Sequence, residues 1–136
     1  MLLFLLIARL VTRMLLALLF LFAGTVHLTS PALFLPVMPP FIPFHFLCII
    51  ASGVCELLGG IGLLLPKVVS PTFTGWGLVL LLLAIFPANI YMAISHVQLP
   101  GHSIPSWLEW ARLPFQPLLI FAVVWVTNIW PKTAKL

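Results

Sequence analysis

Charge is nearly missing from this chain of 136 residues: 6% of its side chains are charged, six Lys or Arg and two acidic, where a globular chain carries roughly 25%. Eight charged side chains are too few to coat a water-soluble fold of this size, so a soluble domain is excluded. Intrinsic disorder is excluded as well, because it requires low hydrophobicity and high charge. The net charge of +4 comes from scattered residues and forms no basic patch, which argues against nucleic-acid binding. Cysteine is scarce too. Cys48 and Cys55 stand seven apart in an apolar run, about 10 Å along a helix, too far for an intrachain disulfide. The absence of any CxxC counts against a thiol–disulfide enzyme, and the two thiols read as buried bystanders. What the chain has in abundance is apolar surface, 63% of its residues. The expected class is an all-α integral membrane protein.

A membrane-spanning helix needs about 20 mostly apolar residues. Four candidate spans run from about Leu10 to His27, Phe44 to Leu65, Phe73 to His96 and Arg112 to Trp130. They are expected to form one transmembrane domain across residues 1–136, a four-transmembrane-helix up-down bundle. The connections are a Pro-rich segment Leu28–Pro43, a short Pro66–Thr72 turn and a loop Val97–Ala111. Met14–Ala23 after two arginines has the look of a signal-peptide core, but Arg13 sits inside an apolar run reaching back to Leu2, whereas a signal peptide carries its charge first. Alternate crossing puts Arg9, Arg13, Lys67, Lys132 and Lys135 on one side and Arg112 alone on the other. The positive-inside rule then places both termini in the cytoplasm. Trp107 and Trp110 suit the outer interface, and Trp125 and Trp130 the inner one.

Polar residues inside the spans are few. Helical rise puts His27, His45, His96 and Arg112 in an outer layer, Ser52, Asn89 and Gln116 about 10–12 Å deeper, and Glu56 near the midplane. His45, Ser52 and Glu56 share a face of the second helix, Asn89 and His96 a face of the third, Arg112 and Gln116 a face of the fourth. These eight residues are the candidate lining of an outward-opening polar cavity. Glu56 is the candidate catalytic residue. A carboxyl at membrane depth is costly and should face the bundle interior with a partner. With no Lys or Arg at its depth, it is read as a neutral acid: a proton carrier or a hydrogen-bond donor to a ligand, or else a structural group bonded to Asn89 or Gln116. Ser52, Gly53, Gly59, Gly60 and Gly62 read as close helix-packing positions. Pro87 removes a backbone donor and crowds the carbonyl of Leu83, and Asn89 either satisfies a freed backbone group or faces the cavity. Arg112 is an interfacial anchor or an anion clamp. No histidine pair has HxxxH or HExxH spacing, so no metal site is assigned, although His27, His45 and His96 could converge from three helices.

Four segments in order, Ala23-Gly24-Thr25-Val26-His27, Ser52 to Gly60 running on to Leu65-Pro66, Phe86-Pro87-Ala88-Asn89-Ile90-Tyr91-Met92 and Arg112-Leu113-Pro114-Phe115-Gln116, cover most of the chain. With these the sequence resembles the DoxX-like family, small four-helix proteins of bacterial inner membranes. The resemblance implies a multi-pass inner-membrane protein associated with redox enzymes, with quinone as the cofactor it suggests and none that the residues require. Three functions follow as expectations. One is a redox-associated accessory subunit that binds quinone, lipid or a partner enzyme in the cavity. Another is a lipophile-binding enzyme using Glu56 for proton transfer, where the looser resemblance is to the cores of sterol-isomerase-like membrane proteins. The third is a non-catalytic scaffold or assembly factor. The expected partners are the bilayer, a quinone or other lipophilic small molecule, and a membrane redox protein.

Overall fold

The computed structural model describes residues 1–129. Trp130, Lys132 and Lys135, used above for the fourth span and for orientation, lie outside the described residues. Among the described residues the chain is all-helical, with no strand and four long helices: α1 (Leu2–Thr29), α2 (His45–Leu64), α3 (Pro71–Ser95) and α4 (Ser106–Thr127). Each is long and apolar enough to cross a bilayer, with mean hydropathy between 1.3 and 2.3. The protein is an all-α, multi-pass membrane bundle.

Contacts between specific residues give the topology. Gly24 faces Gly53 and Gly60 faces Leu21, so α1 and α2 are antiparallel. Gly62 meets Thr74 across α2 and α3. Asn89 bonds Gln116 across α3 and α4, and Arg9 of α1 reaches the carbonyl of Val126 in α4. The four helices therefore run up-down-up-down and close into a ring.

Two helix starts differ from expectation. α1 begins at Leu2 and not near Leu10. Arg9 does not stop it, because its guanidinium turns sideways and donates from Nε and Nη2 to the carbonyl of Val126, one of the last carbonyls of α4 that lack a helical partner. α4 begins at Ser106 and not at Arg112, so Arg112 sits nearly two turns inside the helix. Pro105, in extended conformation, precedes the first turn, and the residues Ser106, Trp107 and Leu108 continue the helical pattern with no breaker before Arg112.

The two ends of the bundle are packed differently. Leu16, Ala17, Phe20, Leu63, Leu78, Leu82, Val123 and Val126 form a continuous buried core at the end that holds the N-terminal half of α1. At the other end α1 stops short. From the level where Gly24 lies opposite Gly53, α1 runs on five residues to Thr29 whereas α2 reaches back eight residues to His45, a difference of about 4–5 Å along the axis. The Pro-rich segment fills this step with two short 3-10 turns, Pro31–Leu33 and Leu35–Val37. His45 ties the segment down through Nε2 to the carbonyl of Pro39 at 3.1 Å. Gly24 and Gly53 are required here: a Cβ on Gly24 would stand 2.7 Å from the carbonyl oxygen of Gly53.

Candidate functional site

Under the Pro-rich segment lies a cavity of about 460 Å³, within the ~300–1,000 Å³ range of small-molecule sites. Phe34, Val37, Met38 and Ile42 roof it, Cys48, Ile49, Ser52 and Cys55 line it from α2, Leu81, Ile85 and Asn89 from α3, and Arg112 from α4. His27 closes it from the end of α1. Ala51, Cys55 and Ala84 line the cavity while remaining exposed, which puts a mouth between α2 and α3, on the side of the bundle that faces lipid. In place of the expected funnel toward the outer face, the Pro-rich segment covers that end and the opening is lateral.

His27 and Glu56 form the centre of the polar wall. Nδ1 of His27 lies 2.6 Å from Oε2 of Glu56, with the two side chains 18% and 5% exposed. One proton must lie between them, leaving the ring's other nitrogen outside that bond. The Phe34 ring packs against the imidazole with centroids 4.1 Å apart and tilted by 58°. This corrects one expectation: the partner of Glu56 is a histidine, and neither Asn89 nor Gln116 bonds it. Helical rise measured from each helix end assigned His27 to a shallower layer; the two groups meet because side chains tilt toward the N-terminus of their own helix, so across this antiparallel pair His27 and Glu56 reach toward each other.

Asn89 and Gln116 pair with each other, Asn89 Nδ2 donating to Gln116 Oε1 at 2.5 Å. Gln116 is buried and donates in turn to the carbonyl of Leu82, next to the carbonyl of Leu83 that Pro87 deprives of its helical donor. Gln116 thus anchors α4 to the α3 backbone one residue before the Leu83 carbonyl that Pro87 frees, and Asn89 reaches the cavity wall. Ser52 lines the cavity while its hydroxyl donates to the carbonyl of Ile49 at 2.8 Å. Arg112 lines it too, with Nη1 3.1 Å from the sulfur of Met92. Of the eight expected lining residues, the structure brings His27, Ser52, Asn89 and Arg112 to the cavity, with Glu56 behind His27 and Gln116 behind Asn89. His45 and His96 are elsewhere. The three histidines do not converge, each having its own partner.

Two features escaped the sequence reading. Cys48 and Cys55 are on the cavity wall, and Cys55 is exposed, so they are not sealed in a core. Glu109 was overlooked altogether. It is fully buried and accepts from Gln98 Nε2 at 2.9 Å, and His96 Nδ1 lies 3.0 Å away. Gln98 also binds the backbone of Ile104 on both sides of its amide. The cluster staples the 96–105 loop onto α4. Two signals pointed to it: Ser106-x-x-Glu109 is a helix-start pattern, and Glu109 with Arg112 is an i,i+3 pair.

Fold and site together define a class: a four-helix membrane protein with an apolar, laterally open cavity and a buried His–Glu pair in its wall. The profile of a family described as a domain of unknown function (DUF8561) matches residues 16–127, and the chain belongs to that family. No curated protein and no solved structure matches it.

Proposed function

We propose that this protein binds a lipophilic small molecule with a hydrogen-bonding head, of the quinone class, and acts as an accessory to a membrane redox enzyme. The observation that carries this reading is the 460 Å³ cavity, apolar over most of its wall, whose polar groups are few and convergent: His27, Ser52, Asn89 and Arg112. A ring carbonyl is matched by the remaining N–H groups of Asn89 and Arg112, since the Ser52 hydroxyl is already donated to Ile49, and an apolar tail is matched by the mouth between α2 and α3. The resemblance to DoxX-like proteins of bacterial inner membranes points the same way. The excess of basic residues at one end supports cytoplasmic termini, with the cavity in the outer leaflet. The test is equilibrium binding of a short-chain ubiquinone analogue to the purified protein in detergent. Saturable binding that Ala88→Phe, which fills the cavity, abolishes is the expected result; binding indifferent to Ala88→Phe would end the proposal. For orientation, cysteines at Ser30 and Ser103, in a background lacking Cys48 and Cys55, should react with an impermeant thiol reagent from outside. Protection until lysis would invert the topology.

A second reading, an enzyme moving protons through Glu56, is favoured by one observation. The carboxyl is not isolated but joined to the cavity by His27, so a proton on Glu56 has a route to a bound lipophile. Glu56→Gln keeps the shape of the pair but cannot pass a proton. If it leaves quinone-analogue binding intact and abolishes turnover by membranes, the enzyme reading is supported over the binding accessory.

A further inference from the structure

The end of the bundle opposite the cavity carries a second pocket, of about 250 Å³. Arg9 and Arg13 of α1 line it together with Thr72 and Thr74 of α3 and the last residues of α4. We infer that it is a binding site for a phosphate-type anion, held by Arg9, Arg13 and Thr74.

Three observations converge. The first is charge. The whole chain has two acidic residues, Glu56 and Glu109, and both are engaged by histidines in the other half of the bundle. No acidic side chain lines this pocket, so two guanidinium groups border it with no carboxylate among the described residues to offset them. A poorly solvated cation without a partner is costly, and an anion in the pocket removes that cost. The second is a pair of unmet donors. Among the described residues, Nε of Arg13 and Oγ1 of Thr74 are buried with no hydrogen-bond partner, and Thr74 is 5% exposed. Buried donors of this kind are normally satisfied by a water or a ligand. The third is the backbone. Thr72 lies in the first turn of the 25-residue α3, where free N–H groups and the helix dipole favour an anion. Arg9 is also not snorkelling to an interface. Arg9 turns inward to the carbonyl of Val126, which occupies Nε and Nη2 and leaves Nη1 for a ligand.

A guanidinium pair with a hydroxyl suits the tetrahedral oxygens of phosphate, with the fork geometry that arginine offers. Such a group is presented either by an anionic phospholipid at the membrane surface or by free phosphate. Basic pockets between transmembrane helices are known to take lipid headgroups. The inference is independent of what the cavity binds.

The test is thermal unfolding of the purified protein in neutral detergent, titrated separately with inorganic phosphate, phosphatidylglycerol and phosphatidylcholine. Stabilisation by phosphatidylglycerol but not by phosphatidylcholine or phosphate identifies a lipid headgroup, and stabilisation by phosphate identifies the free ion. In either case Arg13→Gln should raise the half-saturating concentration about tenfold or more, the loss of a charge-assisted hydrogen bond. Thr74→Val should weaken the response less, and Arg13→Lys should keep most of it. Lys67, exposed and outside the pocket, is the control: Lys67→Gln should leave the response intact. The inference is overturned if neither anion stabilises the wild type. It is equally overturned if Arg13→Gln and Thr74→Val respond as wild type does, or if Lys67→Gln loses as much as Arg13→Gln.

Discussion

The His27–Glu56 pair can be weighed by a double-mutant cycle, using His27→Ala, Glu56→Ala and the double variant. Hydrogen bonds between transmembrane helices average about 0.6 kcal/mol, with a maximum near 1.7. Removing one partner of a buried ion pair costs about 3–5 kcal/mol. At 2.6 Å, with Glu56 5% and His27 18% exposed, the pair has the short distance of a charge-assisted contact, but the imidazole borders an open cavity and is not sealed. The coupling energy is therefore expected at about 2 kcal/mol, above an ordinary interhelical bond and below a sealed ion pair. The single variants should be unequal. His27→Ala strands a buried carboxyl and should cost more than Glu56→Ala, which strands an imidazole within reach of the cavity. The assay is unfolding by dodecyl sulfate in mixed micelles, followed by circular dichroism. A coupling under about 0.5 kcal/mol, no larger than an average interhelical bond, or a larger loss from Glu56→Ala than from His27→Ala, would refute the assignment of this pair as the centre of the polar wall.

Three other substitutions probe the frame around the site. Gly24→Ala would drive a Cβ to 2.7 Å from the Gly53 carbonyl and should destabilise by about 1–3 kcal/mol, whereas Gly77→Ala, with open space at its Cβ, should be neutral or slightly stabilising in the same unfolding assay. Gln116→Leu leaves Asn89 without its partner and the Leu82 carbonyl without its side-chain donor and should cost about 1–3 kcal/mol, with faster amide exchange on the Pro87 side of α3. Glu109→Ala should release the 96–105 loop, seen as faster hydrogen exchange there and unchanged protection in the core of α1 and α2; a uniform loss of protection would show that the cluster supports the whole bundle.

The membrane class and the number of spans were legible because they depend on composition and on run lengths, quantities that a bilayer of fixed thickness reads directly. The antiparallel order followed from short connections. The burial of Glu56 and Gln116 followed as well, since a polar group in hydrocarbon must find the bundle interior. Partner choice was not legible. Helical rise locates a residue along its own helix but says nothing of how far that helix is displaced along its neighbour. The register in which Gly24 packs opposite Gly53 decides that Glu56 meets His27, and Asn89 is left to Gln116. Reading α4 from Arg112 hid Glu109, because a helix that begins at Ser106 places that carboxyl inside the first turns, where it closes a loop. The same holds at the opposite end. Arg9 and Arg13 are visible in the sequence as a topogenic charge, whereas their inward turn toward Val126 and Thr74 exists only once α1, α3 and α4 are packed together. Composition sets the solvent a chain must live in; the axial offsets between its helices, fixed by where small residues such as Gly24 and Gly53 let backbones touch, set which side chains meet.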